Sequence, residues 1–97
     1  MRRDETLALL REHKPVLAER FGVVDLALFG STARDEAEPG SDVDILVTLA
    51  RQGPWGSPYS EVLEYLKELL GDSVDLVVDN ELRAEFRPYV EKDAVYV

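Results

Sequence analysis

The chain has 97 residues, no cysteine and a net charge of −9, which favours a single domain over residues 1–97 and excludes disulfide bonds and thiolate metal sites. The acidic balance argues against long nucleic acid as the main partner but is compatible with small anionic ligands held through a metal ion. No apolar run reaches the roughly 20 residues that span a bilayer, and the charged N-terminal segment argues against a signal peptide, so we expect no membrane association and a cytoplasmic location.

The N-terminal segment is predicted to be helical. Residues 4–13 place Leu7 and Leu10 on one side of a helix. Pro15 cannot donate a backbone hydrogen bond within a continuing helix, so it predicts a kink or a second helix start. Gly22 is a typical residue just beyond a helix end, and we expect the segment to stop there.

Two strands around a short helix are predicted next. Val23 to Phe29 is a short apolar run typical of a buried strand, and Gly30 ends it. Ser31 is a favourable N-cap for a short helix that extends to about Ala37. Val43 to Leu49 alternates apolar and polar residues at its start, which predicts a second strand.

The second half of the chain is predicted to contain two helices and two strands. These elements are a helix started by Ser57 and Pro58, a strand over residues 73–78, a helix capped by Asn80, and a strand over residues 94–97. Helices that alternate with strands predict an α/β (α+β) domain in which helices pack on one sheet. Because several connections are short, we expect that small sheet to be mixed rather than fully parallel.

Two aspartates open the second strand and are the strongest chemical signal in the chain. Asp42 and Asp44 are separated by one residue, so on a strand they point to the same face with Cα atoms roughly 6.5–7 Å apart. Such a pair can bracket two metal ions, which lie about 3.5–4 Å apart in phosphoryl-transfer sites. Asp42 alone is also plausible as a turn residue. Asp44 interrupts an apolar run, and a metal partner would offset the cost of burying its charge.

A third carboxylate is expected to complete a metal site. Asp75 interrupts the apolar run of the third strand as Asp44 interrupts that of the second. The alternative is an ordinary acidic residue on a half-exposed strand face. Asp25 also lies in a strand, but it precedes the Gly-Ser turn at the other end, and we interpret it as a surface residue.

The Gly-Ser pair predicts a phosphate-binding turn. A glycine at a strand end, followed by a helix start, offers free backbone N–H groups and the positive end of a helix dipole. Gly30 and Ser31 fit that pattern, although the pair is also common as a plain helix cap. Arg34 lies where the dipole disfavours a cation, and a bound anion would offset this. The alternative is a solvent-facing Arg34 paired with Asp35 or Glu38.

These residues together resemble a known family. Gly30-Ser31, ten residues and Asp42-Val43-Asp44 resemble the GSx10DxD signature of polymerase-β-type nucleotidyltransferases. The flanking runs LALFGSTAR and SDVDILV are similar to the minimal nucleotidyltransferases (MNT proteins), and this resemblance covers nearly the whole chain. One departure is Asp35, where many relatives have glycine after the arginine.

The resemblance implies nucleotidyl transfer from ATP to an acceptor hydroxyl. Asp42 and Asp44 would hold two Mg²⁺ ions that bridge the triphosphate, and Asp75 would bind the metal on the acceptor side. Ser31 and the helix start would hold the β- and γ-phosphates. The nucleotide-binding residues implied in this way are Gly30, Ser31, Arg34 and Ser41.

The resemblance also implies a partner. Many members of this branch are encoded beside a HEPN-domain protein and act as antitoxins, some by adenylylating a tyrosine of that partner. A binding module that neutralises its partner by occlusion, with a vestigial nucleotide site, remains the alternative, and a homo- or hetero-oligomer fits both. Trp55 is a candidate for partner docking or base stacking, and Arg83 and Arg87 share a helical face that a partner or nucleotide could meet.

Overall fold

The computed structural model describes residues 2–38, 40–50 and 58–97. Within these residues the helices are α1 (Arg3–Phe21), α2 (Gly30–Ala33), α3 (Tyr59–Leu70) and α4 (Arg87–Glu91), and the strands are β1 (Val23–Phe29), β2 (Val43–Leu49), β3 (Val74–Val78) and β4 (Val95–Tyr96). A single 3-10 turn, Asp79–Glu81, follows β3 in the described chain. Among these helices, none has the length and apolar character needed to cross a membrane.

The strands form one mixed sheet in the order β3-β2-β1-β4, which confirms the predicted fold class. β1 is antiparallel to both β2 and β4, whereas β2 and β3 are parallel. The C-terminal end of β1 therefore lies beside the N-terminal ends of β2 and β3. Gly30, Ser31 and the three predicted carboxylates, Asp42, Asp44 and Asp75, lie at these three strand ends.

The hydrophobic core lies between the sheet and the two long helices, α1 and α3. Leu26 and Leu28 of β1 and Ile45 of β2 are completely buried there. The helices contribute Leu7, Leu10 and Leu17 from α1 and Val62, Leu66 and Leu70 from α3. Burying each such side chain stabilises the fold by about 1.5–3 kcal/mol. Because strand side chains alternate, Asp44 and its neighbour in β3, Asp75, point to the opposite face of the sheet.

Pro15 does not divide α1. The helix runs without interruption from Arg3 to Phe21 with Pro15 inside it, so the predicted second helix start is wrong. Leu10 and Leu17, on either side of the proline, are both completely buried in the same core. Pro15 itself is exposed. Core packing on both sides of the proline therefore outweighs the loss of one helical hydrogen bond.

The helix after the Gly-Ser pair is shorter than predicted. α2 ends at Ala33 rather than near Ala37, and Phe29, not Ser31, occupies its N-cap position. Asp35 has φ +60°, a left-handed conformation that stops the helix. The Glu36 N–H donates to the Ser31 carbonyl (2.8 Å) and the Asp35 N–H to the Thr32 carbonyl (3.1 Å), the pattern of a Schellman motif.

The predicted elements of the second half are present with shorter bounds. α3 begins at Tyr59 after Pro58, while Ser57, its predicted cap, lies outside the described residues. The helix predicted after Asn80 is reduced to the 3-10 turn and the five residues of α4. The Asn80 side chain instead accepts from the Leu49 N–H (3.0 Å) and donates to the Leu49 carbonyl (3.2 Å), so it holds the end of β2.

Candidate functional site

The three predicted carboxylates come together at one edge of the sheet. Asp44 is the register partner of Asp75 in β3 and of Phe29 in β1. Neighbouring strands lie about 4.8 Å apart, and paired residues of parallel strands point to the same face. Asp42 is exposed and immediately precedes β2. Sheet pairing therefore brings Asp75 beside Asp44, which lies 31 positions earlier in the chain and belongs to the Asp-x-Asp pair.

The surroundings of Asp44 disfavour its charge. Burial, then the nearby charges of Asp75 and Asp42, raise the pKa of the Asp44 carboxyl to about 6, and Arg34 acts in the opposite direction. In the part of the chain that the structure describes, no three acidic or histidine side chains already enclose a common point. Even so, a partly buried carboxylate flanked by two more is the donor set that hard divalent cations require. The residues present fit a site for a divalent cation.

Gly30 leaves room for Asp44. Its φ is +73°, and an added Cβ would overlap Oδ2 of Asp44 and lie 3.0 Å from the Cγ of that residue. A side chain at position 30 would thus be strained by the backbone and would also displace the carboxylate. The glycine that the sequence pattern assigns to phosphate approach therefore also leaves the space that the Asp44 carboxylate occupies.

The two predicted serines lie in the segments that precede the Asp-x-Asp pair. Ser31 is half-buried in the first turn of α2. Ser41 closes the turn before Asp42, because its Oγ accepts from the Glu38 N–H (3.1 Å) and its own N–H donates to the Glu38 carbonyl (2.9 Å). The Ser41 hydroxyl therefore shapes the approach to Asp42.

Arg34 is the C-cap residue of α2, so the prediction that it lies where the helix dipole disfavours a cation is wrong. Its guanidinium is held by two carboxylates. Its Nε donates to Oε2 of Glu36 (3.0 Å) and its Nη1 to Oδ2 of Asp93 (2.6 Å). The hydrogen bond to Glu36 and, to a smaller extent, the one to Asp93 raise the pKa of the Arg34 guanidinium. The predicted alternative, in which Arg34 pairs with Asp35 or Glu38, is therefore wrong, because the partners are Glu36 and Asp93. Asp93 is 59 positions away, and no local pattern in the sequence could have identified it.

Two further residues near the signature were missed by sequence reasoning. Arg3 donates from Nε to the Ala33 carbonyl (2.9 Å) and so supports the C-terminal end of α2 from α1. Thr32 is completely buried, and among the described residues its Oγ1 has no hydrogen-bond partner. Such an unpaired hydroxyl costs about 1–3 kcal/mol. Neither residue carries a spacing signal that could have revealed these roles.

The remaining candidates lie away from the carboxylates or outside the described residues. Asp25 is exposed and pairs with Thr48 at the far end of β1, as expected for a surface residue. Arg87 begins α4 and donates to Asp79 (2.7 Å) and to Glu91 (3.1 Å). Arg83 is exposed and precedes α4, so the prediction that the two arginines share a helical face is wrong. Trp55 lies outside the described residues.

Comparison with known sequences gives a consistent result. The model of the family described as "Nucleotidyltransferase domain" matches residues 10–97. A protein of Thermococcus cleftensis named protein adenylyltransferase MntA is 43% identical to this chain over 94 residues, covering 97% of the chain and 94% of that protein.

Known structures share the fold. A solved structure described provisionally as a minimal nucleotidyltransferase superposes with a TM-score of 0.77 at 35% identity, covering 98% of this chain and 95% of the other. A Shewanella oneidensis complex, described as a tri-AMPylated HEPN toxin with an MNT antitoxin, gives a TM-score of 0.57 at 22% identity. That second match covers 97% of this chain and 66% of the other, and at this identity it bears on the fold alone.

Proposed function

This chain belongs to the nucleotidyltransferase-domain family, in its minimal branch, and from that premise we propose that it transfers AMP from ATP to a hydroxyl group of a partner protein. The observation that carries the proposal is the pairing of Asp44 with Asp75 beside Gly30, with Asp42 immediately before the strand that contains Asp44. The name of the Thermococcus cleftensis relative, a protein adenylyltransferase, supports the same reaction.

We propose that Asp42, Asp44 and Asp75 hold two Mg²⁺ ions. Bound there, the ions would supply charge stabilisation for the entering and leaving oxygens of an in-line displacement at the α-phosphorus. The protein contributes the arrangement of the carboxylates, two of which are fixed by sheet register. The raised pKa of Asp44 reflects burial first and then repulsion by Asp75 and Asp42, and a bound cation would offset both effects.

The triphosphate would lie at the turn between β1 and α2. Gly30 has no side chain, so phosphate oxygens can approach the backbone N–H groups of this turn. The Ser31 hydroxyl lies in the first turn of α2 and would donate to a phosphate oxygen. Arg34, the C-cap residue of α2, would add positive charge near the phosphates.

The acceptor side is open to a second protein. β3 is an edge strand of the sheet, and Asp75 is exposed on it. Asp75 would favour deprotonation of the attacking hydroxyl, with the proton leaving to solvent. The structure described as an AMPylated HEPN toxin bound to an MNT antitoxin suggests the class of partner, and we propose a HEPN-type protein encoded beside this chain, with the chain acting as its antitoxin.

The test is transfer of label from ATP labelled at the α-phosphate, with Mg²⁺ and the protein encoded next to this chain. We expect labelled partner with the wild type and with Asp25→Asn, a control that removes a strand carboxylate at the far end of the sheet. Asp44→Asn is expected to abolish labelling. Equal labelling by Asp44→Asn would overturn the proposed reaction.

A neutralisation assay distinguishes the second candidate, occlusion without catalysis. The acceptor side, where Asp75 lies, is exposed. This is compatible with a partner that binds there and is neutralised by being covered, without any transfer. If the Asp42→Asn and Asp44→Asn proteins neutralise the partner as well as the wild type does, occlusion is sufficient. If they bind the partner but no longer neutralise it, transfer is required.

A further inference from the structure

The ion pair between Arg34 and Asp93 connects the signature helix to the last segment of the chain. The Arg34 N–H donates to the Gly30 carbonyl (3.2 Å), so this residue lies one turn from the glycine of the candidate site. Its Nη1 reaches Asp93 at 2.6 Å, and the Asp93 side chain is only 18% exposed. Desolvation of this kind strengthens a charge-assisted hydrogen bond relative to a fully exposed ion pair.

Asp93 is itself held by an anchored segment. It lies two residues before β4, which pairs with β1 through Ala27 and Leu28. The Val97 N–H donates to the Leu26 carbonyl (3.0 Å), and Nζ of Lys14 donates to the Val97 carbonyl (2.7 Å). The carboxylate that orients Arg34 is thus fixed to the central sheet and to α1.

The guanidinium retains capacity for a ligand. The bonds to Glu36 and Asp93 use Nε and one N–H of Nη1, and a guanidinium has further N–H donors on Nη1 and Nη2. The positive charge of Arg34 is close enough to Asp44 to lower the pKa of that carboxyl, against the effects that raise it. A held arginine loses little side-chain entropy when it binds a phosphate.

We propose that Asp93 is a positioning residue that fixes the Arg34 guanidinium beside the triphosphate, so that the C-terminal segment contributes to nucleotide binding. This inference rests on the proposed function, because it requires a nucleotide at the turn between β1 and α2. Glu36 is expected to contribute less, because its side chain is 66% exposed and solvent weakens its bond to Arg34.

The experiment is a double-mutant cycle on the affinity of the full chain for a non-hydrolysable ATP analogue with Mg²⁺, measured by calorimetry. Asp93→Asn is expected to weaken binding about fivefold when Arg34 is present. In the Arg34→Ala background the same substitution is expected to have no further effect. Asp93→Glu, which keeps the carboxylate, should restore most of the affinity.

Asp79→Asn is the matched control, because Arg87 and Asp79 form an ion pair of similar length (2.7 Å) and exposure at the other end of β3. It should leave nucleotide affinity unchanged. Equal losses from Asp93→Asn in both backgrounds, or no loss in either, would overturn the inference while leaving the proposed function in place. Absence of binding to the wild type would overturn both.

Discussion

Gly30 and Asp44 occupy adjacent positions at the sheet edge, and each restricts the other. The carboxylate fills the space that a side chain at position 30 would need. Burial and then the neighbouring acids raise the pKa of the same carboxylate. The Asp44 carboxylate therefore destabilises the fold, and it fits at the site because residue 30 has no Cβ atom. Such a group is expected where function and stability compete.

Gly30→Ala tests this restriction. We expect about a hundredfold loss of transfer activity, because displacing the proposed metal ligand Asp44 by about 1 Å would have that order of effect, and a loss of about 1–2 kcal/mol of unfolding free energy from the left-handed backbone. Gly71→Ala is the control, since Gly71 has φ +103° but an added Cβ would meet no atom within 4 Å. Activity and urea unfolding should show that the control loses stability alone. Equal loss of activity in both variants would contradict the restriction.

The charge of Asp44 predicts a pH-dependent stability. Its pKa is raised in the folded protein from 3.8 to about 6, so ionisation opposes folding, and the metal-free wild type loses stability as the pH rises through this interval. Asp44→Asn is therefore expected to be more stable than the wild type at pH 8 in the presence of EDTA. The difference should vanish below pH ~4, where the carboxyl is neutral in both states. Urea unfolding at pH 4 and pH 8 measures it, and an equal difference at both pH values would contradict the assignment.

At the scale of elements, α2 is held by its surroundings rather than by its own length. Four residues are too few for a helix that is stable alone. Arg3 bonds to its last carbonyl, and the Schellman motif around Asp35 closes its end. Asp35 has a positive φ, a conformation that glycine adopts without steric cost.

Asp35→Gly is predicted to stabilise the chain by about 0.5–1 kcal/mol, because glycine adopts the left-handed conformation without steric cost and this gain exceeds its added unfolded-state entropy. The midpoint of urea unfolding measures the effect. Glu36→Gly is a suitable control, since Glu36 does not have a positive φ, and it should destabilise. A lower midpoint for Asp35→Gly would show that the aspartate side chain contributes more than the strain costs.

At the scale of the whole molecule, the net charge of −9 causes repulsion among the acidic residues, which opposes the compact folded state. Three of the acidic residues meet at the candidate site. Elsewhere, contacts distant in sequence hold the chain together, as with Lys14 and Val97 or Asn80 and Leu49. Cations should therefore stabilise the protein in two ways, by general screening and by binding at the site.

Thermal unfolding separates these two effects. MgCl₂ is expected to raise the Tm more than NaCl does at equal ionic strength, because binding to the native state adds to screening. In Asp44→Asn the two salts should give similar increases. An extra effect of MgCl₂ that persists in Asp44→Asn would place magnesium binding elsewhere.

The sequence by itself determined the strands, the mixed fold class and the carboxylate motif. β1 and β2 have the predicted bounds, because apolar alternation and a following Gly or turn residue act locally. Asp42 and Asp44 were recognisable because their spacing alone places them on one face of a strand. Asp75 was recognisable as a charge within an apolar run.

Only the tertiary structure decided which distant groups meet. Asp93 reaches Arg34, Asn80 caps the end of β2 instead of a helix, and Pro15 lies within an unbroken α1. Each outcome depends on strand order and on packing across the core, which local periodicity does not encode. The carboxylates of the candidate site therefore follow from local pattern, whereas the orientation of its arginine depends on the pairing of β4 with β1 in the sheet.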